Sequence, residues 1–166
     1  MTAELITLVE IFRYGQEMNV KLLDAADRLT AAQLDEPLDI GPGSVRKICT
    51  HLLHGEATWL KRFTGNPQAP WPTQPQPLTP AQMVKQLSEI HTERAAFVDG
   101  LGPAQLSNRL SYRDSRGSMF TATLHQMLIQ SVLHSHHHRA QMINAIRRVG
   151  VPIIEADYMY SVRQPE

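Results

Sequence analysis

Four of the eight histidines fall in one short run, His134-Ser135-His136-His137-His138-Arg139-Ala140-Gln141-Met142. In a helix each residue turns by about 100° and rises about 1.5 Å, so positions four apart stand one turn above each other. His134 and His138 form such a pair, while His136 and His137 point elsewhere, to solvent or to the support of a ligand. An i, i+4 histidine pair offers two imidazole nitrogens to one ion, a geometry suited to zinc, nickel, copper or iron. Two ligands do not complete a site. A third must come from another element, and Thr50-His51-Leu52-Leu53-His54-Gly55-Glu56 offers both His51 and His54. The competing reading of so dense a cluster is a solvated face or a surface chelator without a biological ion.

Other residues of chemical interest have plainer readings. His91 and His125 stand alone and read as surface or core residues, and Met127 and Met142 as core filling. Cys49 lies two residues before His51, about 160° away around the helix, and reads as a buried, inert thiol.

Helices must position these groups. Leu5, Leu8, Phe12, Leu22, Leu23, Ala26 and Leu29 recur at helical spacing, interrupted by Gly15 and Asn19, and predict a first long helix over residues 3–28. Thr30 and Gln33 form a capping-box pattern that starts a short turn before Pro37 and the Gly41-Pro42-Gly43 breaker. A second long helix is expected over 44–63, with Val45, Ile48, Leu52, Gly55 and Trp59 on one stripe and Gly65 at its end. Residues 65–80 hold six prolines and suit an extended crossover between parallel helices, with Trp71 pinning it to the bundle. Thr79, Pro80 and Gln82 start a third helix, which Gly102-Pro103 stops. Leu110 to Thr121, with the polar turn Asp114-Ser115-Arg116-Gly117, suggests a hairpin or an extended loop. A fourth helix is expected over 121–149, closed by Gly150-Val151-Pro152. The class is therefore all-α, and 166 residues suit a single domain.

Composition excludes some partners. Lys plus Arg and Asp plus Glu both number 16, so no net field recommends nucleic acid or an anionic membrane. No stretch approaches the roughly 18 apolar residues of a membrane span. One cysteine forms no intrachain disulfide, and the N-terminal residues lack a basic segment followed by an apolar run, so a cytoplasmic location is expected.

At His51-Leu52-Leu53-His54-Gly55-Glu56-Ala57-Thr58-Trp59 and His134 to Met142 the sequence resembles the DinB/YfiT-like family. The pattern is a histidine ahead of an acidic residue and an aromatic, here His51, Glu56 and Trp59, followed by H-x-x-x-H-R-x-Q, here His134, His138, Arg139 and Gln141. The stretches Tyr14 to Leu29 and Arg147 to Tyr160 are also similar, so the resemblance covers nearly the whole chain. It implies a four-helix bundle of up-down-down-up topology, whose parallel second and third helices need the long proline-rich connection. It further implies metal ligands at His51, His134 and His138, with one divalent nickel, zinc, iron or manganese ion. His54 is an additional histidine beside that set.

Members of that family include thiol-dependent S-transferases and a mycothiol-dependent isomerase. The resemblance thus implies a metal-dependent enzyme acting on a small molecule, with a low-molecular-weight thiol as one cosubstrate, and a homodimer by family habit. The alternatives are a metal-dependent hydrolase and a non-catalytic metal-binding helical protein in which a fourth protein ligand closes the site. Gln141, one turn from His138, is positioned to contact a metal-bound water or a substrate, and Glu56 to accept from a ligand imidazole or to act as a base. Arg139 is displaced from that face and is expected in a structural ion pair.

Overall fold

The computed structural model describes residues 2–66, 68–73, 76–152 and 155–165. Four long helices carry the fold: α1 (Ala3–Asp27), α3 (Val45–Phe63), α4 (Pro80–Asp99) and α5 (Leu124–Arg148). A short helix α2 (Ala31–Asp35) follows α1, and α6 (Tyr158–Val162) lies near the C-terminus. Hydroxyl caps set the starts. Thr30, Thr79 and Thr123 each form a full capping box with the glutamine three residues on, and Ser44 caps α3 through the Lys47 amide.

Two apolar layers fix the direction of each helix. One joins the end of α1 (Leu22, Leu23, Ala26) to the starts of α3 (Val45, Ile48, Leu52) and α4 (Met83, Leu87) and the end of α5 (Met142, Ile146). The other joins the start of α1 (Leu5, Leu8), the ends of α3 (Leu60, Phe63) and α4 (Val98), and the start of α5 (Leu124, Leu128). Helices α1 and α5 therefore run one way and α3 and α4 the other, which is the expected up-down-down-up bundle. The proline-rich crossover links the parallel pair; of it, residues 67, 74 and 75 lie outside the described residues, as do 153 and 154 of the closing stretch. No described helix is long and apolar enough to cross a membrane.

The expected hairpin is present. Strands β1 (Arg109–Arg113) and β2 (Met119–Thr123) pair antiparallel, with Arg109 opposite Thr123. Asp114 Oδ1 accepts from the Arg116 and Ser118 amides and closes the turn. The fourth long helix starts at Leu124 rather than at 121, because residues 121–123 complete β2 and Thr123 then serves as the cap. Helix α6 had no periodic signal in the sequence. Tyr14 donates to the Ala156 carbonyl and Tyr158 to Glu10, tying this segment to α1.

Between the two apolar layers lies a buried polar one. Glu56, 3% exposed, is its centre: Oε1 accepts from Ser135 Oγ at 2.6 Å and Asn19 Nδ2 at 3.3 Å, and Oε2 pairs with Arg94. Burial alone would raise the Glu56 carboxyl pKa, but Arg94, His91, the Ser135 hydrogen bond and Arg139 together hold it below the usual carboxylate range. Among the described residues Arg139 does not make the expected close ion pair, and Glu56 acts on it at longer range. Arg139 donates to Asn19 Oδ1 at 3.4 Å, and its guanidinium fills the space a side chain at Gly15 would need. The apparent interruption of the first stripe at Gly15 and Asn19 is thus the α1 contribution to this layer.

His91, on α4, is 1% exposed, and neither ring nitrogen has a hydrogen-bond partner. Burial and the nearby Arg94 lower its pKa from 6.5 to about 4, despite Glu56 Oε2 at 3.9 Å. Between those values the unfolded chain binds a proton that the folded chain does not, so stability falls as pH drops from 6.5 towards 4. Replacing His91 with leucine removes this proton-linked loss and should flatten the acid limb by about one proton, read as the shift of the urea midpoint between pH 7 and pH 5. An unchanged shift would contradict the assignment.

Candidate metal centre

His51, from α3, meets His134 and His138, from the antiparallel neighbour α5, where the first apolar layer gives way to the polar one. One ligand atom from each of the three lies within 4.8 Å of the others. Ring centroids are 5.4 Å apart for His51 and His134, 4.3 Å for His51 and His138, and 4.5 Å for His134 and His138. His136 and His137 are exposed, as the helical angle requires. His54 is buried with its ring 6.0 Å from that of Trp71, and it is not in the three-histidine cluster.

Close packing positions each ring. A Cβ at Gly55 would collide with the His134 imidazole, 2.8 Å from Nδ1. The absence of a side chain at Gly55 thus makes room for the His134 ring. Gln141 lies against Gly41, whose φ of +50° and lack of a Cβ admit the amide. Gln141 Oε1 is 2.9 Å from His138 Nδ1, and its Nε2 is 2.9 Å from His137 Nε2. An amide oxygen only accepts, so His138 donates from Nδ1 and keeps the Nε2 lone pair for another partner. Glu56 makes no hydrogen bond to any of the three histidines among those described; its oxygens serve Ser135, Asn19 and Arg94.

The donor set fits a divalent transition metal. Burial, then the charges the neighbouring histidines would carry, lower the pKa values of His51 and His134 to about 4, and burial also lowers that of His138. All three rings are therefore neutral near pH 7, the form that binds metal. His134 Nδ1 is buried without a hydrogen-bond partner. Three neutral imidazoles that bring one nitrogen each within 4.8 Å of the others are what a three-nitrogen site requires.

Two cavities adjoin the cluster. The larger, about 870 Å³, is lined by His51, His134, Trp59, Arg62, Trp71 and Tyr112 among others. A second of about 500 Å³ shares His51 and Trp71 and adds His54. Trp71 was expected to pin the crossover to the bundle; its ring lies 4.7 Å from that of His51, so it stands over the histidines between the two cavities. The large cavity is walled on one side by the hairpin through Tyr112. Sequence reasoning missed Arg62, whose signal was its spacing: eleven residues after His51 is three turns plus about 20°, the same face of α3.

Gly55→Ala tests the packing. Helix propensity favours alanine by about 1 kcal/mol, yet the new methyl group must displace His134. We expect metal affinity to fall at least about tenfold, by analogy with the loss of a ligand-orienting partner, while thermal unfolding stays cooperative. Retained affinity, measured by competition with a chromogenic chelator, would show that His134 is not held as described.

The model of the DinB family matches residues 1–165. Among solved structures, YfiT from Bacillus subtilis is similar, with a TM-score of 0.65, 23% sequence identity and 90% of each chain covered. That protein is described as "a probable metal-dependent hydrolase with an unusual four-helix bundle topology". At this identity the likeness is one of fold. No curated protein matches the chain.

Proposed function

We propose, on the premise that this chain belongs to the DinB family, that it is a metal-dependent enzyme acting on a small molecule, with His51, His134 and His138 as the ligands. The observation that carries this reading is the convergence of three neutral imidazoles, two of which, His51 and His134, line a cavity of about 870 Å³, large enough for a small-molecule substrate. A divalent ion held there supplies a Lewis acid that polarises a substrate oxygen or lowers the pKa of a bound water or thiol.

The protein's own residues provide the rest. Gln141 acts as a positioning residue, because its amide fixes the His138 tautomer and ring angle. Glu56 pairs with Arg94, attracts Arg139 at longer range beneath the site, and sets the depth of α3 against α5 through Ser135, instead of acting as a base. Trp71 restricts solvent access from above His51. Hydrolysis, the reaction attributed to YfiT, needs one organic substrate and water. Thiol transfer needs room for two substrates, and the second cavity of about 500 Å³, sharing His51 and Trp71 with the first, favours that reading.

The deciding experiment loads metal-free protein with one equivalent of zinc, nickel, manganese or iron. It then assays ester and amide hydrolysis alongside transfer of small thiols to electrophilic acceptors. Turnover in either assay that disappears in His138→Ala and on chelation supports the proposal. A fourth protein ligand on the bound ion, with no turnover in any assay, would make the site a structural staple.

A further inference from the structure

Arg62 makes no ion pair among the described residues. It is 8% exposed, and its Nε is buried without a hydrogen-bond partner. Nη2 donates to the Arg113 carbonyl at 2.7 Å, and the guanidinium carbon lies 4.8 Å from the Trp59 ring centre and 5.4 Å from that of Tyr112. No described carboxylate comes within 4.0 Å; the acidic partners in ion pairs are Asp35, taken by Arg46, and Glu56, taken by Arg94 with His91 nearby. Asp114 lines the same cavity and attracts Arg62 from beyond ion-pairing distance, while its Oδ1 accepts from the Arg116 and Ser118 amides.

A buried guanidinium left unpaired is costly. The stacking on Trp59 and Tyr112 and the bond to Arg113 hold the group in place, and Asp114, outside ion-pairing distance, offsets its charge only in part. Its orphaned Nε belongs to a side chain that lines the large cavity together with His51 and His134. Arg62 and His51 occupy one face of α3, about 16 Å apart along the helix axis. The cavity thus has the His51 and His134 imidazoles of the cluster towards one end and a clamped guanidinium with no ion-pair partner among the described residues towards the other.

We infer that Arg62 is the anion anchor of the substrate cavity, receiving a carboxylate at the far end of an elongated substrate whose reacting end lies at the three histidines. A guanidinium offers parallel N–H groups that match the two oxygens of a carboxylate, and its attraction is strengthened by the apolar walls of Trp59 and Tyr112. The inference rests on the metal-enzyme reading for the reacting end of the substrate, but not for the anion site itself.

Both tryptophans of the chain, Trp59 and Trp71, line the cavity, so quenching of their fluorescence reports binding. The probes are straight-chain hydroxamates of increasing length that end in a carboxylate, compared with the same chains ending in a carboxamide, on zinc-loaded protein. At the best length the carboxylate probe should bind at least about tenfold more tightly than its carboxamide. Arg62→Gln should abolish that preference and leave the carboxamide affinity within about twofold. Arg62→Lys should keep part of it, since charge remains but the fork is lost. Equal affinities in the unmodified protein at every length would overturn the proposal without reliance on any variant, as would a preference that survives Arg62→Gln. Failure to bind zinc would count against the metal reading alone, because the same preference read on metal-free protein then decides the role of Arg62.

Discussion

Glu56→Gln is expected to destabilise the metal-free protein by about 3 kcal/mol or more, the usual cost of breaking a buried ion pair from one side. The carboxylate carries the only negative charge that Arg94 meets within ion-pairing distance among the described residues, and it also interacts with Arg139. Glutamine keeps the shape and the Ser135 contact but leaves two buried guanidinium groups facing a neutral amide. Because the layer joins α1, α3, α4 and α5, the loss should appear as a lower urea midpoint of one cooperative transition. Adding Arg94→Met should recover part of it, as the unpaired charge is then removed as well. A general base would behave differently, losing activity with the fold intact. A cost below about 1 kcal/mol in Glu56→Gln would remove the buried layer from the account of how the site is held.

His51→Ala is expected to weaken metal binding by more than about 100-fold, since losing even an outer-shell partner of a ligand costs roughly 10–100-fold. His54→Ala should change it by less than about threefold. The two histidines are three residues apart on α3, yet only His51 joins the rings of His134 and His138, while His54 packs near Trp71. His134→Ala and His138→Ala should match His51→Ala, and His136→Ala should retain the ion. The folds of all these variants should persist, because the two apolar layers stabilise the bundle independently of the ion. Equal loss in His51→Ala and His54→Ala would indicate four histidines around the ion and a closed, structural site.

The four long helices were legible because their signals are local and redundant, whereas their directions came from the family resemblance and the long proline-rich connection. The capping pattern at Thr79 and the apolar residues at helical spacing act within a few positions of the chain, whereas the Thr123 cap was missed and the last long helix, expected from 121, starts at Leu124. The His134–His138 pair was legible for the same reason, since both lie on one helix. Choosing His51 over His54 needed the family resemblance, because the two differ by only about 60° around the axis. The polar layer was not legible. Asn19, Glu56, Arg94, Ser135 and Arg139 come from four helices, and no spacing rule links residues whose only connection is tertiary. Glu56 was noticed for the histidines near it, but its partners come from α1, α4 and α5. Arg62 was missed because an arginine in the last turn of a helix has an ordinary explanation in the helix dipole.

The central claim is a metal bound by three imidazoles with at least one coordination position left to a small ligand. The most direct test is metal analysis with X-ray absorption spectroscopy on protein purified without nickel affinity. The account predicts about one divalent transition metal per chain, with three imidazoles and one or more oxygen or sulfur donors from outside the protein. A chain that binds no ion stoichiometrically, or an ion enclosed by four protein ligands, would contradict it.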